Sequence, residues 1–197
     1  MSTPPVLELF RQSGALLEGH FKLSSGLHSP GYLQSAIVLA EPRHAERLGR
    51  ALAEALGDRG ATVVLSPAIG GLIIGHEVAR ALGVRALFAE RQDGALTLRR
   101  GFTLGPVDRV LVIEDVLTTG GSTRETIAVA EAAGAVVVGA GAIIDRSGGS
   151  ATIGVPFRSL ATLSLPTYAA DRCPLCAAGQ PVTKPGSRAD AAAAHTK

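Results

Sequence analysis

The chain has 197 residues, 46% of them hydrophobic and 18% charged, which is enough for one domain with a sizeable core. Its net charge of +2 is too small to argue for nucleic acid as a partner, and no apolar run has membrane-spanning length. Glu8 and Arg11 interrupt the N-terminal region, so no signal peptide is expected, and two cysteines cannot make a disulfide framework. A compact, soluble, cytoplasmic protein is the expectation.

Residues 4–18 place Val6, Leu9, Phe10, Ser13, Leu16 and Leu17 at helical spacing, which predicts an amphipathic first helix. In 19–32, Phe21 and Leu23 alternate like a strand, Ser24-Ser25-Gly26 turns, and Tyr32-Leu33 resumes extended chain. A hairpin this early suggests a small hood, built from about 1–40 and part of 150–180, over a main sheet. Pro42 suits a first helical position, and Ala45, Leu48, Ala51, Leu52, Ala55 and Leu56 give that helix a buried face. Strand 62–66, a helix to about Leu82, strand 84–89, strand 110–113, a helix over 123–133 and strand 135–144 then alternate. This order predicts an α/β fold with a doubly wound, mainly parallel sheet, whose ligands gather beyond the carboxyl ends of the strands. Residues 92–104 read as a projecting hairpin turning at Asp93-Gly94. One domain over 1–187 is expected, with a frayed tail after Pro181 and a disordered end at 188–197.

The stretch from Val110 to Ser122 carries most chemistry. Four aliphatic residues, Val110 to Ile113, lead into Glu114 and Asp115, then Val116, Leu117, Thr118, Thr119, Gly120, Gly121 and Ser122. Glycines let the backbone turn its N–H groups inward, and the following helix adds unpaired amides and a positive dipole end. Hydroxyls from Thr118, Thr119 and Ser122 complete an anion cradle beside two acids. That combination suits a ligand with both a phosphate and hydroxyls or a metal. Neither a Walker A pattern nor Gly-x-Gly-x-x-Gly occurs.

Glu-Asp, an aliphatic residue, any residue and Thr-Thr-Gly-Gly-Ser after a hydrophobic strand resembles the signature with which type I phosphoribosyltransferases bind 5-phospho-α-D-ribose 1-diphosphate (PRPP). Three further stretches are similar to the orotate-using members. They are residues 19–32, Ser66-Pro-Ala-Ile-Gly-Gly71, and Ile143-Ile-Asp-Arg146. The resemblance implies the type I phosphoribosyltransferase fold, and Mg²⁺-dependent transfer of ribose 5-phosphate from PRPP to orotate in pyrimidine biosynthesis. It implies PRPP contacts from residues 114–122, from Ala68, Ile69 and Gly70, and from Arg91. Orotate contacts would come from Thr118, Arg146, Ser25, Gly26 and Tyr32. Glu114 and Asp115 would favour the cationic transition state, and Asp115 could also accept a proton. Mg²⁺ would be held mainly by PRPP and water, with no direct protein ligand. A homodimer is implied, with no nucleic-acid or membrane partner.

A planar guanidinium at Arg146 reads a carboxylate bidentately; the other reading is an arginine that only pairs with Asp145. Purine-using relatives share the central signature, and a non-catalytic PRPP sensor would too. The basic loop of many orotate enzymes carries a lysine, whereas residues 90–101 here hold only Arg91, Arg99 and Arg100 as cations. A lysine common before Ser-Gly in that family is Ser24 here, and alternation puts Lys22 on the same face. Among the histidines, His28 is the candidate for ligand contact. Cys173 and Cys176 have zinc-knuckle spacing, but a tetrahedral site needs two more ligands. Free thiols in a turn are the expectation, with a metal shared across a dimer as the alternative.

Overall fold

The computed structural model describes residues 6–23 and 25–185. Ser24 and the expected disordered end at 188–197 lie outside the described residues, as do positions 4 and 5 of the first helix.

Helix α1 spans Val6–Gln12 and buries Leu9 and Phe10. It stops well short of residue 18 because Gly14 takes a left-handed φ of 71°, which glycine adopts without steric cost. The amides of Ser13, Gly14 and Ala15 close back onto Leu9, Arg11 and Phe10. Leu16 and Leu17 therefore open a strand. That strand, β1 (Leu16–Lys22), pairs antiparallel with β2 (His28–Leu33) as a separate two-stranded sheet. Both free edges of this hairpin are used by the C-terminal segment. Lys22 N–H donates to the Thr183 carbonyl and Thr183 N–H to that of His20, both at 2.8 Å, while His28 and Tyr168 exchange bonds of 2.8 and 2.9 Å. The backbone around Thr183 is therefore tied down, not frayed.

Helices α2 (Ser35–Leu39) and α3 (Pro42–Leu56) follow, then β3 (Val63–Pro67), α4 (Gly71–Leu82), β4 (Arg85–Gln92), β5 (Ala95–Leu98), β6 (Arg109–Leu117), α5 (Gly121–Ala132), β7 (Val136–Asp145) and β8 (Phe157–Thr162). A short 3-10 turn at Ala170–Arg172 and helix α6 (Pro174–Ala177) close the described chain. The six-stranded sheet has the order β5-β4-β3-β6-β7-β8. Its pairs are parallel except β4–β5, the projecting hairpin that turns at Asp93-Gly94. Strand β8 has no long apolar run and no fully buried residue, so no hydrophobic period announces it.

Alternate residues of the central strands serve two cores. Val64, Leu111, Ile113 and Ile143 pack with Leu48, Leu52, Leu56, Ile74 and Val78 of α3 and α4. Val63, Leu65, Val110, Val112 and Ala142 pack with Ile127 and Ala130 of α5. This is the doubly wound arrangement. The buried stripe of α3 is rotated from the expected one: Ala55 is exposed and Ala51 half-buried, while Gly49 and Ala53 are buried. The reason is α4, which crosses α3 at Gly49. A Cβ there would lie 2.5 Å from Glu77 Cβ and 2.8 Å from its carbonyl carbon. No helix of the described residues is long and apolar enough to cross a membrane.

Since backbone and not a flexible tip opposes that position, Gly49→Ala should separate α3 from α4. A loss of about 1–3 kcal/mol is expected, read as a lower urea midpoint with an unchanged slope.

Candidate active site

Parallel pairing puts the carboxyl ends of β3, β4, β6 and β7 on one rim. The turn after β6 and the turn after β7 line a cavity of about 970 Å³, closed on its far side by the β1–β2 hairpin and residues near Leu165 and Lys184. Tyr32, Ser25, Thr118 and Arg146 all line it, together with Lys22 and Arg124. Gly26 sits between the lining residues Ser25 and Leu27. His28 is buried and turned instead toward His20 and Cys176, so its expected ligand contact on the acceptor side is not supported.

Asp145 ends β7 and is buried. Its Oδ1 accepts from Ser147 N–H at 2.7 Å and from the Ser147 hydroxyl at 2.6 Å, and its Oδ2 accepts from Gly149 N–H at 3.1 Å. Those bonds hold the 146–151 turn and direct the carboxylate into it. Arg146 is therefore not its ion-pair partner. Its amide donates to the Leu117 carbonyl at 2.8 Å, which fixes its backbone against β6, and its buried Nε has no hydrogen-bond partner. Burial pulls the Arg146 pKa below its ordinary value, with nearby Tyr32 acting in the opposite sense. An arginine keeps its charge in such surroundings. A desolvated guanidinium with an unmet donor favours an anionic, planar partner.

Strand β6 continues through Glu114 and Asp115, which lie within its extended chain and not beyond it. Asp115 accepts a hydrogen bond from the Ser35 hydroxyl at the start of α2. It also lies against the 67–71 loop, where a Cβ on Gly70 would meet the Asp115 carboxylate at 2.7–2.9 Å. That loop contains a cis peptide between Ala68 and Ile69, and Ile69 projects with 84% exposure. Glu114 is buried at 8% exposure. Burial first, and then the neighbouring charge of Asp115, push its pKa up to about 9. At neutral pH the pair thus carries one proton on Glu114, making it a hydrogen-bond donor beside an acidic acceptor.

At the entry to α5, Gly120 adopts φ 78° and no side chain caps the helix. The terminal amides around Gly121, Ser122 and Thr123 are thereby available to an anion. Arg124 in the first turn of α5 reinforces the site. Its Nη1 donates to the carbonyls of Thr119 at 3.0 Å and Thr152 at 3.1 Å, while the side chain lines the cavity. The sequence pattern does not single it out, although its position two residues after Ser122 is the available clue. Ser35 escapes the pattern as well, and only the fold brings it to Asp115. Arg91 points elsewhere in this structure, donating to the Gly94 carbonyl at 2.6 Å and pairing with Glu125 at 2.9 Å. Arg99 and Arg100 both face Glu90, at 3.9 and 3.0 Å.

Glu114 confers a pH dependence of stability with a definite sign. Its folded pKa lies above the unfolded value of 4.5, so its contribution is fully present below about pH 4.5 and is lost as pH rises toward about 9. Glu114→Gln removes that loss. The melting temperature of the variant should exceed that of the parent increasingly across this window and by a constant amount above it, checked by calorimetry of both proteins over the pH series.

No family model matches the chain. Curated relatives do. The chain is 50% identical over 188 residues to an orotate phosphoribosyltransferase of Chlorobium phaeobacteroides (strain BS1), covering 95% of this chain and 97% of that one. It is 54% identical over 178 residues to an orotate phosphoribosyltransferase of Thermus thermophilus, covering 90% and 97%. Among solved structures, orotate phosphoribosyltransferase from Aeropyrum pernix superposes with a TM-score of 0.67 at 26% identity, covering 80% of this chain and 93% of that chain. Identity at this level over nearly the whole length places the chain in the orotate phosphoribosyltransferase family.

Proposed function

We propose that this chain transfers the ribose 5-phosphate group of PRPP to orotate, forming orotidine 5′-monophosphate and pyrophosphate, as a cytoplasmic homodimer in pyrimidine biosynthesis. The observation that carries the assignment of the acceptor is Arg146, whose buried Nε lacks a partner while Asp145 is engaged by the Ser147 and Gly149 donors. Orotate supplies the missing carboxylate. Thr118, Ser25, Gly26 and the face of Tyr32 would bound its ring, and Lys22 adds a second positive group at the same cavity.

For PRPP, the 5′-phosphate takes the amides and hydroxyls of residues 118–122, beside Arg124. The ribose hydroxyls take Glu114 and Asp115 past Val116 and Leu117. The pyrophosphate reaches Ala68, Ile69 and Gly70, with Arg91 proposed to approach from the β4–β5 hairpin. Departure of pyrophosphate runs ahead of bond formation, so positive charge builds on the ribose ring. Asp115 stabilises that charge, and Glu114 donates or accepts at a hydroxyl according to its proton. The ring nitrogen of orotate then attacks the opposite face. No covalent nucleophile is required, and positioning supplies most of the rate.

Magnesium fits this donor set. Burial pushes the Glu114 pKa up to about 9, so it is a weak anionic ligand near neutral pH. A small hard cation that retains several waters and shares substrate oxygens suits such a sparse protein contribution. When bound, Mg²⁺ offsets charge on the leaving pyrophosphate. The homodimer follows the family resemblance, and the exposed Ile37, Ile69 and Ile73 offer apolar surface for a second copy.

Mixing the protein with PRPP, Mg²⁺ and orotate should consume orotate, followed by its ultraviolet absorbance; hypoxanthine or adenine in its place should not react. Arg146→Ala should weaken orotate by about 2–3 kcal/mol while leaving PRPP affinity largely unchanged. An unaltered orotate affinity would refute the acceptor assignment. In contrast, Asp115→Asn should lower turnover while largely sparing phosphate binding, separable by single-turnover kinetics against direct titration with inorganic phosphate.

A further inference from the structure

Four side chains outside the cavity converge from opposite ends of the chain. His20 and His28 come from the two strands of the hairpin, while Cys173 immediately precedes α6 and Cys176 lies within it. Their ligand atoms all lie within 4.8 Å of one another. His20 Nε2 is 2.8 Å from His28 Nδ1, 3.5 Å from Cys173 Sγ and 3.7 Å from Cys176 Sγ, and Cys176 Sγ is 3.3 Å from His28 Nδ1. The missing second pair of the zinc-knuckle spacing is thus supplied by the hairpin of the same chain, and no partner subunit is needed.

We propose that His20, His28, Cys173 and Cys176 form a structural zinc site that fastens the hairpin to the C-terminal segment. Tetrahedral zinc with bonds of about 2.0–2.1 Å to nitrogen and about 2.3 Å to sulfur places nitrogen and sulfur ligands about 3.5 Å apart. The three nitrogen–sulfur distances bracket that value. The histidine pair would open by roughly half an ångström to reach the spacing of two nitrogens on one zinc.

The protonation pattern agrees. His20 Nδ1 lies 2.8 Å from the Gln180 carbonyl, which can only accept, so Nδ1 carries the proton and Nε2 presents a lone pair to the cluster. A backbone carbonyl on the distal ring nitrogen is the usual support of a zinc-bound histidine. Zinc entry displaces one proton from each thiol and moves the His28 proton from Nδ1 to Nε2. The product is two thiolates, two neutral imidazoles and Zn²⁺, with no net charge. That neutrality suits a place where His20, His28 and Cys173 are 4%, 6% and 2% exposed. All four ligands being supplied by protein, the site is closed and structural, not catalytic.

The consequence is mechanical. Lys22, Leu23, Ser25 and Leu27 line the cavity and belong to the same hairpin, between the two histidines. Zinc would hold that wall in register with Tyr168 and Thr183 at its two edges.

The test uses the full chain purified under reducing conditions and assayed for metal after gel filtration. About one zinc per chain is expected. Cobalt loaded into the chelated protein should give tetrahedral d–d absorption with thiolate-to-cobalt charge transfer. Cys176 is exposed, so Cys176→Ser should keep the fold by circular dichroism while losing the charge-transfer intensity of one thiolate and holding zinc far more weakly. His28→Gln should also weaken zinc, with both thiolate bands retained in cobalt. Absence of zinc both as purified and after reconstitution, a cobalt spectrum without thiolate bands, or a resting Cys173–Cys176 disulfide would overturn the site. These readouts do not involve orotate, so they stand or fall apart from the catalytic assignment.

Discussion

The acceptor side of this protein depends on a carboxylate that is already spoken for. Asp145 ends β7 and accepts bonds from two amides and a hydroxyl in the turn that follows. With Asp145 engaged in its own turn, the buried Nε of Arg146 has no hydrogen-bond partner. A buried polar group in that condition costs free energy until something binds it. Under the proposed function, a carboxylate would satisfy that donor more strongly than the neutral acceptors of a purine.

A similar division of labour shapes the donor side. Of the two neighbouring carboxylates near the end of β6, Glu114 is the buried one, and burial raises its pKa. Asp115 is held by the Ser35 hydroxyl and crowded by Gly70, whereas Glu114 keeps its proton. One acid and one base therefore sit side by side without an added counter-ion. Binding of a cationic transition state, or of a divalent ion with the sugar phosphate, would draw on the ionised member first.

The parts of this architecture that can be read from the chain are those encoded contiguously. Residues 110–122 carry strand, acids, glycine turn and helix start in one run, so both fold and chemistry are visible there. The Asp93-Gly94 turn and the Pro42 helix start are visible for the same reason. Arg146 is legible as a candidate, but the choice between a ligand contact and a pair with Asp145 needs the Ser147 and Gly149 bonds. What escapes the sequence is set by distant contacts or weak periodicity. Ser35 meets Asp115 across 80 positions, and Cys173 meets His20 across 153. Strand β8 has no buried alternation to reveal it, and the stripe of α3 is turned by the crossing of α4 at Gly49.

The cations of the β4–β5 hairpin rest on carboxylates in this conformation. Arg91 pairs with Glu125 of α5, and Arg99 and Arg100 pair with Glu90. The Arg91–Glu125 pair is about half exposed on both sides, and such pairs contribute only about 0–1 kcal/mol. For Arg91 to reach an anion, the Glu125 pair and the 2.6 Å bond to the Gly94 carbonyl would both have to open. Glu90 holds its two arginines differently: the Arg100 guanidinium also lies 5.7 Å over the Phe88 ring, which anchors it to the hairpin. Of the three, Arg99 has the longest contact, 3.9 Å from Glu90, whereas Arg91 is held by Glu125 at 2.9 Å and by the Gly94 carbonyl at 2.6 Å. An arginine from this hairpin could offer an anion charge and hydrogen bonds but no proton.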